Sequence, residues 1–133
     1  MKLAYVDSSV WITRVEGLST YRNTLDDTLL QLLQSGWQLC ISDVVMLEVL
    51  AKPYKQNQTE LISIYHKIFS HTKHLKTPTD IFTDALLIVQ LEQLNALDAV
   101  HVALARHHHC QAFISTDKHL RTLKTIQSIW VKL

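Results

Sequence analysis

Residues 95–117, NALDAVHVALARHHHCQAFISTD, decide the class of fold. From Asn95 to about His108 the segment is apolar except at Asp98, His101 and its polar end, which predicts a helix buried on most sides. Ala112-Phe113-Ile114 is then a continuous apolar run, as expected of a strand covered on both faces in a parallel sheet. A helix that leads into a buried strand indicates an α/β fold.

The same alternation extends along the rest of the chain. Further strands are predicted at Leu3–Val6, Leu39–Ile41 and Ile129–Val131, with a weaker edge strand at Lys73–Thr77 before Pro78. Helices are predicted at Thr24–Gln34, Val44–Lys52 (ending at Pro53), Glu60–Ser70 and Thr79–Glu92, with a short last helix after Asp117. We therefore expect residues 1–133 to form a single three-layer α/β/α sandwich around a parallel sheet of about five strands.

Composition restricts the class of protein. The chain has 133 residues, 47% of them apolar, and a formal net charge of +1, so a generic polyanion-binding arm is excluded. Cys40 and Cys110 fit no metal-finger spacing, and we expect both to be buried, reduced thiols. No stretch resembles a targeting signal or a membrane span, so we expect a cytoplasmic protein without membrane attachment.

Two acidic residues directly follow or lie just beyond predicted strands. Asp7 follows the first strand, and Asp117 follows the Ala112-Phe113-Ile114 run. Ligands of open parallel sheets bind beyond the carboxyl ends of the strands, which makes both side chains candidates for a site. Each could instead cap the helix that follows it, because Asp is a favoured N-cap residue.

Two other acidic residues interrupt apolar helices. Glu48 is the only polar residue between Val44 and Ala51, and its alternative role is an i,i+4 pair with Lys52. Asp98 lies near the start of the predicted buried helix, where it could interact with an Asn95 cap. A buried carboxylate without a partner is too costly, so Asp98 must be paired or bind a cation.

These four acids, in this order, resemble the PIN-domain ribonucleases, and most closely the VapC-type toxins of toxin–antitoxin pairs. The likeness rests on the four acids, on the Asp-Ala-x-His-x-Ala helix at Asp98 and on Ser-Thr-Asp-Lys-x-Leu around Asp117, and it extends from Leu3 to about Leu123. It implies the strand order 3-2-1-4-5 and an acidic site of Asp7, Glu48, Asp98 and Asp117 that holds Mg²⁺ or Mn²⁺. It also implies that the hydroxyls of Ser8 or Ser9 and of Thr116 orient carboxylates.

Elementary electrostatics agrees with this ligand set. Clustered carboxylates repel one another, and their pKa values rise unless a cation compensates them. Oxygen ligands favour Mg²⁺ or Mn²⁺ over Zn²⁺, while charge counting leaves open whether one or two ions bind. The resemblance implies metal-assisted hydrolysis of RNA phosphodiester bonds that yields a 5′-phosphate and a 3′-hydroxyl.

Substrate contacts are less well defined by the sequence. Four basic residues near the acids are candidates for phosphate binding or for solvated surface charge: Arg14, Lys52, Lys118 and Arg121. Trp11 and Trp37 are candidates for base stacking, although core or interface roles are favoured. His101 either hydrogen-bonds Asp98 or is a satisfied core histidine.

The resemblance also implies protein partners. It predicts a VapB-type antitoxin and a homodimer, with the apolar surfaces of Thr24–Gln34 and Glu60–Ser70 available for either contact. A housekeeping nuclease without an antitoxin and a non-catalytic interaction module are the alternatives. Phosphotransfer enzymes of the haloacid dehalogenase type fit poorly, because Ser9 stands where they need a second aspartate.

Overall fold

Five short segments form one parallel sheet in the computed structural model, which describes residues 1–133. The strands are β1 (Lys2–Val6), β2 (Trp37–Ser42), β3 (Lys73–Leu75), β4 (Ala112–Ser115) and β5 (Gln127–Trp130). They lie in the order β3-β2-β1-β4-β5, and all neighbouring strands are parallel. The predicted sheet is confirmed, with the Lys73 segment at one edge.

Six α-helices cover the sheet. They are α1 (Ser8–Glu16), α2 (Ser19–Gln34), α3 (Asp43–Lys55), α4 (Thr59–Phe69), α5 (Ile81–Glu92) and α6 (Ala96–His107), and a 3₁₀ turn spans Lys118–Leu120. α1 to α4 form one group of contacts, while α5 packs along α6, in keeping with the predicted α/β/α sandwich. None of the helices has the length and apolar character needed to cross a membrane.

Two predicted helix boundaries need correction, and one helix was not predicted. The missing helix is α1, which is short and buries only Ser8, Val10 and Trp11. α2 begins at Ser19 and not at Thr24, since its first turns are polar and exposed and carry no periodic signal. α3 continues past Pro53 to Lys55. Proline removes one N–H donor, but the bond from the Gln56 N–H to the Lys52 oxygen, at 3.0 Å, still closes the last turn.

The centre of the sheet fixes the geometry of one edge. Ala4, Tyr5 and Val6 of β1 are fully buried, and the Tyr5 ring stacks on Phe113 with 5.3 Å between ring centroids. Val6 pairs with Ile114, and the Asp7 N–H donates to the Ile114 oxygen at 2.9 Å. β1, β2 and β4 therefore present their carboxyl ends together, beside the start of α6.

The two cysteines are part of the interior. Cys40 lies on β2, and Cys110 lies between α6 and β4. Both are buried and neither forms a disulfide, as the sequence predicts.

Candidate metal centre

Asp7 is a buried carboxylate at the carboxyl end of β1. Its Oδ2 accepts hydrogen bonds from Ser9 Oγ at 2.8 Å and from Ser115 Oγ at 2.9 Å. Although Asp7 occupies the N-cap position of α1, its side chain makes no capping hydrogen bond. Oδ1 has no hydrogen-bond partner and lies 4.0 Å from His101 Nε2. The carboxylate is thus held by one oxygen while the other stays available.

Glu48 is held in the same way from α3. Its Oε1 accepts hydrogen bonds from Ser8 Oγ at 2.6 Å and from His101 Nε2 at 2.5 Å, while Oε2 has no hydrogen-bond partner. The alternative pair with Lys52 is not formed. Burial by itself raises the pKa of Glu48, but the hydrogen bonds from His101 and Ser8 outweigh it and lower the pKa below its usual value. Glu48 is therefore ionised at neutral pH.

Asp98 lies in the first turn of α6, and its carboxylate has no hydrogen-bond partner. The Asn95 side chain does not cap this helix. Burial raises the pKa of Asp98, and the negative charges of Asp7, Asp117 and Glu48 raise it further, against the opposite effect of His101. Three separate acids thus act electrostatically on Asp98, but neither Asp98 nor Asp117 belongs to the group of ligand atoms that lie within 4.8 Å of one another, which comes from Asp7, Glu48 and His101. Asp98 is the least compensated of the four acids.

Asp117 is more exposed than Asp7 and Glu48, with 37% of its side chain accessible. Its Oδ1 accepts the His119 N–H at 2.9 Å and lies 3.0 Å from His119 Nδ1. This contact confirms the alternative prediction that Asp117 caps the short helix after it. The same carboxylate also contributes to the negative charge around Asp98.

The four acids have no lysine or arginine partner. The only basic side chains within 4.0 Å of their carboxylate oxygens are two imidazoles, that of His101 beside Asp7 and Glu48 and that of His119 beside Asp117. One carboxylate oxygen from Asp7, one from Glu48 and a ring nitrogen of His101 lie within 4.8 Å of one another. Free carboxylate oxygens in an uncompensated negative site suit a hard divalent cation, so these residues fit Mg²⁺ or Mn²⁺.

Hydroxyl groups hold the carboxylates, with one change from the sequence prediction. Ser8 binds Glu48 and Ser9 binds Asp7, whereas Thr116 contributes its backbone N–H, which donates to Ser9 Oγ at 3.2 Å. The Thr116 hydroxyl makes no hydrogen bond. Ser115 takes the position that the resemblance gives to that hydroxyl: it donates to Asp7 and accepts the Asp117 N–H at 3.0 Å.

Sequence reasoning missed Ser115 and did not identify the partners of His101. Ser115 ends β4 as its only polar residue, which was the available signal. His101 is a satisfied buried histidine, but it binds Glu48 and Tyr5 and not Asp98. Tyr5 is the only polar residue at the centre of β1, and such a hydroxyl requires a buried partner.

The candidate substrate residues are not equivalent. Arg14 is engaged by Asp26 at 2.7 Å, and Trp11 is buried against Phe69, so neither is free to meet a nucleotide. Arg121 is exposed and lies over the Trp130 ring at 5.8 Å, close in sequence to Asp117. Lys52 and Lys118 are exposed and form no ion pair.

Comparison with known proteins gives one family and several similar folds. The sequence model of the PIN domain matches residues 4–125. VapBC2 from Rickettsia felis, solved with a promoter DNA fragment, is similar with a TM-score of 0.76, 13% identity and coverage of 98% of this chain and 99% of that one. A toxin–antitoxin complex from Klebsiella pneumoniae gives 0.70, 20% identity and coverage of 92% and 94%.

A third similar structure is Mycobacterium tuberculosis VapC20, described as a toxin that cleaves the sarcin–ricin loop. Its TM-score is 0.63 at 16% identity, over 83% of this chain and 86% of that one. No curated protein matches the sequence. At these identities the solved structures establish the likeness of fold.

Proposed function

Since the chain belongs to the PIN domain family, we propose that it is a divalent-metal-dependent ribonuclease and the toxin of a VapBC-type pair. One observation carries the proposal: Asp7 and Glu48 are each held through one oxygen, while the other oxygen has no hydrogen-bond partner. Asp98 and Asp117 add negative charge without any lysine or arginine. This is a site prepared for a cation.

The chain's own residues have defined parts in the proposed reaction. Ser9 and Ser115 fix Asp7, and Ser8 and His101 fix Glu48, so that the free oxygens are positioned before metal binds. A bound Mg²⁺ or Mn²⁺ would supply an activated water and stabilise charge on the leaving oxygen. No side chain needs to act as a covalent nucleophile, so the preference for RNA must come from binding.

RNA cleavage tests this proposal directly. Wild-type protein and the Asp98→Asn variant would be incubated with total RNA in Mg²⁺ or in EDTA, and the new ends mapped. We expect Mg²⁺-dependent cleavage with 5′-phosphate ends by the wild type and markedly slower cleavage by Asp98→Asn. The matched control is Asp27→Asn, which removes an exposed aspartate far from the site in sequence and without an ion pair. Equal cleavage under all conditions would contradict the proposal.

An apolar groove is the surface we propose for the antitoxin. The groove has a volume of about 370 Å³ and is lined by α1, α2, β2 and the segment around the end of α4. Leu30 and Leu33 of α2 are more than half exposed along it, and Arg14 and Asp26 form a charged border. A narrow, largely apolar peptide segment with one polar group would suit this shape.

A second exposed apolar surface lies on α5 and is the one we propose for a homodimer. Its residues are more than half exposed: Phe82, Leu86, Leu87 and Leu91. Four large apolar side chains on three turns of one helix are rare on a surface that stays in water. The two surfaces are on different helices and can be occupied together.

Reciprocal substitutions separate the two surfaces. Leu33→Asp is expected to abolish capture of the proposed VapB-type antitoxin and to leave the dimer intact. Leu91→Asp is expected to do the reverse, as measured by pull-down and by light scattering. Loss of the dimer in Leu33→Asp with normal dimer in Leu91→Asp would contradict this assignment.

A further inference from the structure

A chain of hydrogen bonds runs through the interior and ends on Glu48. Ser42 Oγ lies 2.7 Å from Tyr5 Oη, which lies 2.7 Å from His101 Nδ1, and His101 Nε2 lies 2.5 Å from Glu48 Oε1. Ser42 and Tyr5 are fully buried and His101 is 1% exposed. The three residues come from β2, β1 and α6, so the chain joins distant parts of the sequence.

Packing of the interior does not require the Tyr5 hydroxyl. Tyr5 stacks on Phe113 at 5.3 Å, so the position accommodates an aromatic ring that a phenylalanine would supply as well. A hydroxyl and an imidazole in an apolar interior are costly unless every polar atom is bonded. Here every buried side-chain polar atom has a partner. The chain is fully satisfied, and its exposed end is a carboxylate of the site.

The donors of the chain can run in one direction. Glu48 accepts, so His101 Nε2 carries the hydrogen that it donates. In a neutral ring Nδ1 is then an acceptor, which takes the Tyr5 hydroxyl hydrogen, and Tyr5 Oη in turn accepts from Ser42. In this arrangement Nε2 is occupied by its bond to Glu48 Oε1. Among the side-chain polar atoms of His101 and Glu48, only Glu48 Oε2 has no hydrogen-bond partner.

Ser42 closes the arrangement into a loop. Its Oγ also accepts the Val45 N–H at 3.3 Å and so caps the N-terminus of α3, the helix that carries Glu48. Glu48 is therefore connected to Ser42 along two routes. One route is the backbone of α3, and the other is the hydrogen-bonded side chains of His101 and Tyr5. A carboxylate held along two routes has little freedom to rotate.

On the basis of the metal centre proposed above, we propose that His101 is a positioning residue and not a ligand. Anchored by Tyr5 and Ser42, it holds Glu48 Oε1 so that Oε2 is presented to the divalent cation. In the alternative arrangement, imidazole joins Asp7 and Glu48 as a third ligand. Tyr5 would orient the His101 ring in either arrangement, so the two are separated by whether substitution of His101 changes the preference between Mn²⁺ and Mg²⁺.

Metal binding by variants of the full chain tests this inference. Mn²⁺ affinity would be measured by electron paramagnetic resonance of the free ion, and Mg²⁺ affinity by competition. We expect Tyr5→Phe to weaken binding by about tenfold, His101→Leu by about 10- to 100-fold, and His101→Gln to recover part of the loss through its amide donor. Both ions should be weakened by the same factor, since only the geometry of an oxygen ligand changes.

Tyr65→Phe is the matched control. Tyr65 is equally buried, and its hydroxyl donates to Glu16, outside the site. We expect this variant to bind Mn²⁺ as the wild type does, and its thermal melting in EDTA gives the cost of losing a buried hydroxyl alone. A melting temperature for Tyr5→Phe close to that of Tyr65→Phe would show that the loss of affinity is not a loss of folding.

Two results would overturn the inference, and they differ from failure of the proposed function. Wild-type affinity in Tyr5→Phe would show that the chain does not position Glu48. A loss in His101→Leu that is much larger for Mn²⁺ than for Mg²⁺ would make His101 a ligand, because imidazole suits transition metals and Mg²⁺ prefers oxygen. If the wild type bound no Mn²⁺, the proposed metal centre and the inference would both be wrong.

Discussion

The two halves of the acidic site differ in how firmly the protein holds them. Asp7 and Glu48 each receive two hydrogen bonds from side chains of other residues, and three of the four donors are buried. Asp98 has no hydrogen bond, and Asp117 is bonded only to its near neighbour His119. The same formal charge is stabilised by hydrogen bonds in the first half and left uncompensated in the second.

This difference indicates two tasks within one site. The held half is preformed, so binding of a cation there requires little ordering of side chains. In the other half, burial raises the pKa of Asp98 and repulsion by neighbouring acids raises it further, and a cation would relieve that repulsion. The comparison predicts that substitutions in the two halves have different effects.

The largest effect is expected for Asp7→Asn. Since it removes a held ligand oxygen, we expect RNA cleavage to fall by at least about 100-fold, beyond the effect of changing a residue that merely supports a ligand. Asp117→Asn should cost less, because Asp117 is partly exposed and already engaged by His119. Single-turnover rates at saturating Mg²⁺ measure both. Equal losses would remove the distinction between the halves.

The negative charge of Asp98 should destabilise the fold, whereas the charge of a fully hydrogen-bonded carboxylate outside the site should stabilise it. The two groups should therefore contribute to the pH dependence of stability with opposite signs. Glu92 is such a control: burial raises its pKa, but hydrogen bonds from Thr125 and from the Lys124 and Thr125 N–H groups lower it overall. In EDTA at neutral pH, Asp98→Asn should be more stable than the wild type by at most about 1 kcal/mol, and Glu92→Gln less stable.

Falling pH then separates the two variants. The advantage of Asp98→Asn should disappear as pH falls through the raised pKa of Asp98, where the wild type also becomes neutral. The deficit of Glu92→Gln should persist to lower pH and shrink only below the usual glutamate value of 4.5, as Glu92 is protonated. Urea unfolding between pH 7 and pH 3.5 measures both. A wild type stabler than Asp98→Asn at pH 7 without metal would contradict the expected repulsion.

Ser115→Ala should have an intermediate effect, and it tests how firmly hydrogen bonds hold Asp7. Loss of the hydroxyl removes one of two hydrogen bonds to Asp7, so we expect Mn²⁺ affinity to fall by about tenfold. Thr116→Val keeps the backbone N–H that binds Ser9 and should cost much less. If Thr116→Val proved the more damaging variant, the hydroxyl role would return to Thr116.

The smallest effect is expected for the basic residues next to Asp117. Lys118→Ala removes one candidate phosphate contact, so the slope of log affinity against log salt should become shallower by about 0.7 for a single-stranded substrate. The total slope should itself be small, given the net charge of +1. A synthetic RNA bound by the cleavage-deficient Asp7→Asn protein provides the measurement, and Lys67→Ala on α4 is the control. An unchanged slope would exclude Lys118 from the contact.

Local sequence patterns predict which helices and strands form better than they predict the residues at which each begins and ends. Four of the five strands contain continuous apolar runs, because a strand covered on both faces must be apolar on both, whereas the edge strand β3 is Lys-His-Leu and has no such run. Pro53 and the polar start of α2 led to wrong boundaries, since capping and solvent exposure leave no periodic signal. The strand order came from resemblance to a family, since no local pattern specifies which strands pair.

The candidate site shows the same limit. Asp7, Glu48, Asp98 and Asp117 were visible as charges in apolar surroundings, and their catalytic roles remain a prediction. The partners of His101 were not visible, because Tyr5 and Glu48 lie 96 and 53 residues away along the chain. Contacts at such separations depend on how the sheet and helices assemble, which the spacing of residues along one helix does not reveal.

α1 carries consequences for anyone who redesigns partner specificity. Its first residue, Ser8, holds Glu48, while Trp11, one turn later, lines the groove and donates its Nε1–H to the Val6 oxygen at 3.2 Å, next to Asp7. Substitutions at Trp11 would therefore alter both the groove proposed for the antitoxin and the surroundings of Asp7. The proposed antitoxin contact is better changed through Leu30, Leu33 and Ile68, which line the groove from α2 and α4 and do not contact the acids.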